Sequence, residues 1–242
     1  MTTTSANFTQ NMELITKERP LTYDEMMALH PELDKSKSPK IAAWKAQRIG
    51  KITGSQFGKI KRDKSGKWTE TAETYLSELI WEHITGLEAS DFVGSKATEW
   101  GNEHEATALD LYQKQNKTIL ETGEFYAFKT SKLIGCTPDG VGAKALEIKC
   151  PYAAKAHIRT LLNRTVPTEY IDQVNGHILI TEKDGCDFVS FDPRFLTTRP
   201  DLALVILEVE RNQIVLEELE SRLYDFETEL ITRLDRLEVD WR

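Results

Sequence analysis

Gly135-Cys136-Thr137-Pro138-Asp139-Gly140, followed after a gap of five residues by Leu146-Glu147-Ile148-Lys149-Cys150-Pro151, is the stretch from which the fold can be read. An acidic residue sits in a turn and a Glu-x-Lys pair follows on a strand. Side chains alternate along a strand, so Glu147 and Lys149 share one face while Ile148 points into apolar packing. A hairpin joining residues 137–141 to residues 145–150 brings Asp139 beside that face. Two carboxylates and an ammonium then converge, the equipment for holding Mg²⁺ and handling a water or phosphate oxygen beside it. An ordinary Asp-Gly turn and an exposed Glu-x-Lys pair have the same spelling. The rest of the chain has to decide between them.

The chain has 242 residues, 40% hydrophobic and 29% charged, enough for one sizeable α/β core. No apolar run approaches the roughly 18 residues of a membrane span. Residues 1–10 are polar, without the apolar core of a signal peptide, so export is not expected. Three cysteines without a CxxC spacing suggest reduced thiols in a cytosolic protein and no zinc framework. The formal charge of −8 argues against a generic nucleic-acid coat, yet it is unevenly spread. Between Lys35 and Lys67 eleven Lys and Arg face a single acid, Asp63. Such a sector attracts a polyanion locally, and a solvated lysine-rich face has the same composition.

Residues 1–35 read as a partly flexible N-terminal extension and 36–242 as a single domain. Thr22-Tyr23-Asp24-Glu25 opens a short helix ending near Pro31, and Ser38-Pro39 starts another through Trp44 to about Arg48. Gly50–Ser55 interrupts it, with Ser55 placed to cap a short helix through Phe57 and Ile60. A capping Ser, free amides at a helix start and the nearby Arg48 make a phosphate site, although most Ser caps bind nothing. Residues 69–84 form an amphipathic helix stopped by Gly86, with Tyr75, Leu76, Leu79 and Ile80 inward. A second long helix lies within residues 95–116. Its Glu105 shares a face with Gly101, Ala108, Leu109 and Tyr112, costly for a carboxylate unless a cation or donors meet it.

Residues 118–129, 132–136 and 145–150 read as strands of one sheet. Helices follow over 152–162 and 167–180, the second burying Ile171, Val174 and Ile178. Gln173 lies off that stripe, near the faces of Glu169, His177 and Ile180: a surface amide unless this helix borders the site. Residues 186–191 and 202–210 are further strands, the second apolar enough to be central or well covered. The last helix carries a seam of Leu216, Leu219, Leu223, Phe226, Leu230, Leu234 and Leu237, suited to packing on the domain or to a subunit contact. The order of elements indicates one α/β domain with a central mixed sheet flanked by helices.

Gly101-x-x-x-Glu105, Thr137-Pro138-Asp139-Gly140 and Leu146-Glu147-Ile148-Lys149-Cys150-Pro151, in that order, resemble the PD-(D/E)XK nuclease superfamily. More narrowly they resemble the phage lambda exonuclease, or YqaJ-like viral recombinase, family. Trp44-x-x-x-Arg48-x-Gly50-x-Ile52-Thr53-Gly54-Ser55 resembles that family's N-terminal motif, Ile171-Asp172-Gln173-Val174 its later Gln motif, and Trp241-Arg242 its close. The resemblance begins near Ala43 and leaves out the first 35 or so residues. It implies a PD-(D/E)XK core in which Asp139, Glu147 and the Ile148 main-chain carbonyl bind Mg²⁺, with Glu105 supporting. Two ions per site are implied, with Mn²⁺ as a substitute. Lys149 would orient or deprotonate the attacking water and Gln173 would position that water or the scissile phosphate. Arg48, Ser55 and Thr137 would hold a 5′-terminal phosphate, for which an Arg fork is better matched than Lys.

The implied activity is a 5′→3′ exonuclease digesting one strand of linear double-stranded DNA to leave 3′ tails for recombination by strand annealing. A homotrimeric ring, a single-strand annealing protein as partner and a phage or prophage protein in the bacterial cytoplasm are implied with it. A restriction- or repair-type endonuclease on the same core, and a non-catalytic DNA-binding module, are the alternatives.

Overall fold

A computed structural model describes residues 46–89 and 95–241 of the chain. These belong to one compact unit, Trp44–Arg242. The helices expected over residues 22–31 and from Ser38 to Trp44 lie outside the described residues. Arg48 occupies a turn, closed by the Lys51 amide donating to the Arg48 carbonyl, that leads into the first strand.

In chain order the elements are β1 (Ile52–Thr53), a 3₁₀ helix (Gly54–Lys59), α1 (Glu70–Thr85), α2 (Lys96–Asn116), β2 (Tyr126–Ala127) and β3 (Ile134–Cys136). Then come β4 (Gly140–Val141), β5 (Ala145–Lys149), α3 (Ala154–Asn163), a 3₁₀ turn (Thr168–Tyr170), α4 (Ile171–Thr181), β6 (Gly185–Phe191), β7 (Leu204–Glu210) and α5 (Gln213–Arg236). The helix limits obey their capping chemistry. The Thr69 and Ser95 side chains accept from backbone amides at the starts of α1 and α2. Gly86 ends α1 in the left-handed region at φ 69°, where a Cβ is costly.

The strands form two sheets where the sequence suggested one. β1, β3 and β2 make a small sheet in the order β1-β3-β2; β4-β5-β6-β7 make the larger one. In the larger sheet β5 and β6 run parallel and the outer pairs are antiparallel. The run at 118–129 contributes only β2 and an isolated bridge between Glu121 and Val141. β7 is an edge strand. The fully buried inner strand is β6, and the apolar run of β7 reflects cover on both faces instead.

That cover comes from two cores. The larger joins α1, α4 and α5 to one face of the sheet through Leu76, Val174, Ile178, Leu223, Phe226, Phe188 and Val205. The smaller joins α2 to the other face through Ala108, Tyr112, Leu146, Ile148 and Val189. The α5 seam packs on its own domain: six of its seven expected apolar positions are buried, each contributing about 1.5–3 kcal/mol, while Leu237 lies outside the seam at 56% exposure. Tyr75 of α1 stacks on Phe226 of α5, and Arg233 grips Glu73 with two hydrogen bonds.

One close approach matters for the site. Gly176 faces the Phe57 ring of the 3₁₀ helix, and a Cβ there would sit 2.4 Å from two ring carbons. The missing side chain lets α4 lie directly against the segment carrying Ser55.

Candidate active site

The hairpin forms where the sequence places it. Gly140 pairs with Leu146 and Val141 with Ala145, and the Asp139 amide donates to the Leu146 carbonyl. The Asp139 carboxylate then turns back along β5 and accepts from the Ile148 amide at 2.6 Å. Glu147 and Lys149 share the opposite face to Ile148, which is buried in the smaller core. A cleft of about 590 Å³ opens on these residues. Its walls include Arg48, Ser55, Thr137, Glu105, Asp139, Glu147, Ile148, Lys149 and Gln173, so every residue singled out for chemistry from the sequence meets there.

The charges in the cleft are strongly coupled. Glu147 is 1% exposed, and its carboxylate is bridged by the Lys149 ammonium on one oxygen and by His177 Nε2 at 2.6 Å on the other. Burial pushes the Glu147 pKa up, but Lys149 and His177 outweigh it and hold the group below the usual carboxylate range. Burial pulls Lys149 down, and Glu147 with Asp139 more than restores it. Asp139 shares the Lys149 ammonium with Glu147: burial, Glu147 and Glu105 raise its pKa well above the ordinary value, against Lys149 and the Ile148 hydrogen bond. Glu105 is raised in the same way, by desolvation first, then by Glu147 in opposition to Lys149.

At this centre three carboxylates, Glu105, Asp139 and Glu147, share one ammonium, Lys149. That donor set suits a hard divalent cation, which takes oxygen ligands and relieves like-charge repulsion. Among the described residues, no three His, Cys, Asp or Glu side chains stand ready-made around a point. Both Glu147 oxygens are engaged in this arrangement, one by Lys149 and the other by His177.

Around this centre the other residues fall into two groups. Arg48 Nη1 donates to Thr137 Oγ1 at 3.1 Å, joining residues 89 positions apart, and burial lowers the guanidinium pKa. Ser55 is exposed on the same cleft wall, but it does not cap the 3₁₀ helix. Thr53 occupies the N-cap, and no side chain caps it. Ser55 instead follows Gly54, whose absent Cβ would stand 3.0 Å from Cys136 Cβ and 3.5 Å from His177 Cε1. Glu105 does not sit in an apolar interface either. Ala108 and Tyr112 are buried behind it, whereas Glu105 opens onto the cleft.

α4 and the turn before it supply the remaining wall. Tyr170, Gln173 and His177 recur at three- and four-residue spacing, one helical face, and α4 does border the site. Tyr170 places its ring 5.1 Å from the Lys149 ammonium, a cation–π contact. His177 and Tyr170 were not singled out from the sequence as functional residues. The signal for His177 was its place four residues after Gln173, on the same face.

Comparison with known proteins fits this geometry. Residues 43–184 match the model of the YqaJ-like viral recombinase domain. The chain belongs to that family. An alkaline exonuclease from Laribacter hongkongensis superposes with a TM-score of 0.73 at 28% identity, over 81% of this chain and 96% of that one. The same relative in complex with dAMP superposes equally well, at 27% identity. A phage-related exonuclease from Haemophilus somnus 129PT, at 19% identity, 77% of this chain and 96% of that one, shares the fold with a TM-score of 0.59. An uncharacterized protein of Acanthamoeba polyphaga mimivirus is 30% identical over 114 residues, 40% of this chain; the match spans only 20% of that protein's length. The α/β core is thus of the PD-(D/E)XK type of these exonucleases, and the family supports a nuclease role in recombination. Among the described residues no helix is long and apolar enough to cross a membrane.

Proposed function

We propose that this chain is a Mg²⁺-dependent 5′→3′ exonuclease that removes nucleotides from one strand at the end of linear double-stranded DNA. The observation that carries it is the continuity of the cleft. The Arg48–Thr137 pair with Ser55 and the Asp139–Glu147–Lys149 centre line a single cavity, so a grip for a terminal phosphate and a hydrolytic centre face one strand.

In this reading Asp139 and Glu147 hold the Mg²⁺, with the Ile148 main-chain carbonyl as a further ligand and Glu105 in support. The metal, as one ion or a pair, would supply charge stabilisation for the phosphorane and a lowered pKa for bound water. The protein does the rest. The Arg48 fork and the Ser55 and Thr137 hydroxyls seat the 5′-terminal phosphate. His177 fixes Glu147 from behind. Lys149, once it leaves its Glu147 oxygen, donates to the attacking water and orients it, and Gln173 steadies that water or the phosphate. The water oxygen bonds to phosphorus, the bond to the 3′-oxygen of the terminal nucleotide breaks, and a proton passes to that oxygen. A 5′-mononucleotide leaves, and the shortened strand again ends in a 5′-phosphate, the group the Arg48 pocket takes for the next round. A trimeric ring around the duplex and a single-strand annealing partner belong to the same proposal; light scattering coupled to chromatography tests the ring, which a monomer in solution would refute.

End-labelled linear duplex incubated with Mg²⁺ should release mononucleotides from 5′ ends and leave covalently closed circles intact. Equal cutting of closed circles would replace this reading with an endonuclease on the same core. Mg²⁺ titration by calorimetry separates both from a non-catalytic DNA-binding module, which has no use for the ion at Asp139 and Glu147.

A further inference from the structure

The catalytic cleft has a neighbour that this mechanism leaves unused. A second chamber of about 280 Å³ shares Asn102, Glu105, Ile148 and Lys149 with the main cleft but none of the phosphate-holding residues. Two tyrosines, Tyr152 and Tyr170, line it beside Glu105 and Lys149, with Thr98 near the start of α2. Tyr152 is 49% exposed, directly after Pro151, which ends the strand carrying Lys149.

The half-exposed tyrosine packs on a small group of fixed side chains. Its ring and that of Trp100 meet in a T-shape with centroids 5.9 Å apart, and the Arg194 guanidinium lies 5.0 Å from the Trp100 ring centroid. Arg194 is itself fixed by two hydrogen bonds, at 2.7 and 2.6 Å, to the fully buried Asp192. A tyrosine that serves only as surface filling has no need of such backing. Buttressed in this way, the ring is a pre-organised flat surface in a chamber that Lys149 also lines.

We propose that this chamber is a base-stacking subsite for the second nucleotide of the digested strand, the one whose phosphate is attacked. The proposal rests on the 5′→3′ reading, which puts the terminal nucleotide between Arg48 and Lys149 and sends the strand on past Lys149. Stacking on an aromatic ring is tolerant of sequence because every base has a π-face, which suits an enzyme that must accept each nucleotide in turn. Tyr152 also takes the second base out of its pair, and so helps expose the strand that the cleft holds.

The test uses 5′-phosphorylated duplexes with an abasic residue at the first, second or third position of the digested strand. The readout is KM and kcat for release of the first nucleotide. In the unaltered protein the abasic residue at the second position should raise KM about 5- to 150-fold, the range of base–aromatic stacking, and more than at either neighbouring position. Tyr152→Ala should raise KM by a similar factor on normal DNA and become insensitive to the abasic residue, while Tyr152→Phe keeps KM within about twofold. An equal abasic penalty in the unaltered protein and in Tyr152→Ala, a penalty no larger at the second position than elsewhere, or a Phe variant as weak as Ala would each overturn the subsite. The positional series in the unaltered protein decides even if Tyr152→Ala fails to fold. Absence of any 5′-mononucleotide from unmodified duplex would refute the exonuclease reading, whereas release with a flat abasic series refutes the subsite alone.

Discussion

Replacing His177 by Ala tests how the buried carboxylate at the centre of the cleft is held. His177 and Glu147 are each 1% exposed, and their hydrogen bond spans 2.6 Å. The Nδ1 atom of the same ring is buried without a hydrogen-bond partner, so the imidazole is held for its Nε2 side alone. With His177 removed, one oxygen of a charged, dry carboxylate loses its donor. A hydrogen bond to a charged group is worth about 1.5–3 kcal/mol, and the truncated side chain cannot supply it. Lys149 still pairs with the other oxygen, which keeps the loss within that range instead of at the 3–5 kcal/mol of a fully broken buried pair. His177→Ala should therefore shift the urea midpoint of the metal-free protein by an amount equal to about 1.5–3 kcal/mol at unchanged m-value. Mg²⁺ affinity, read by calorimetry, should fall about 10- to 100-fold, as when a group that orients a metal ligand is lost. His177→Gln, whose amide can still donate, should recover much of both. Ala and Gln variants that match each other in both measurements would show that packing, and not the donated proton, is what His177 provides; an Ala variant equal to the unaltered protein would remove it from the site.

Further expectations follow from the same geometry. Arg48→Ala should abolish any preference for 5′-phosphorylated over 5′-hydroxyl ends in competition digests, and a retained preference would move the phosphate pocket elsewhere. Lys149→Ala should eliminate turnover while gel-shift binding of duplex persists, and undiminished hydrolysis would exclude it from the chemistry. Gly176→Ala drives a methyl to 2.4 Å from the Phe57 ring, so α4 must retreat at a cost of about 1–3 kcal/mol; thermal denaturation should show it, with a loss of turnover because Gln173 and His177 travel with the helix. Burial would raise Asp192, yet Arg194 holds it below its ordinary 3.8, so its contribution is complete above that pH and drains away as pH falls through the lower folded value. Asp192→Asn should accordingly be less stable at neutral pH and show a flatter stability profile below about pH 4 in denaturant titrations; an unchanged acid slope would count against the Arg194 contact.

The legible parts of this chain are those where one residue type does one physical job. Thr69 and Ser95 delimit helices by side-chain hydrogen bonds to backbone amides and Gly86 by its left-handed backbone, and the structure bounds the helices there. Asp139, Glu147 and Lys149 are legible because strand alternation is a rigid rule: once β5 exists, Glu147 and Lys149 must share a face. What stayed hidden depends on long-range packing. The run at 118–129 looks like a strand by composition, but only Glu121 and Tyr126–Ala127 pair as strand, and the Leu120 side chain packs against the backbone at Gly140 and Gly142. The apolar residues of β7 fit a central or a well-covered strand, and the structure shows the second, since local pattern registers cover on both faces and is silent on which neighbour is missing.

Glu105, Gln173 and His177 show the same limit from the site's side. Each lies on a helix whose rotation about its own axis is set by contacts elsewhere: Ala108 and Tyr112 on the smaller core for Glu105, and Gly176 on Phe57 for the other two. Helical periodicity states which residues share a face with them but not what that face meets. Gly176 is therefore as much a determinant of the site as the residues that line it. Its missing Cβ brings α4 against the segment of Ser55, and that one close contact turns a surface amide and an unremarked histidine into the wall behind Glu147.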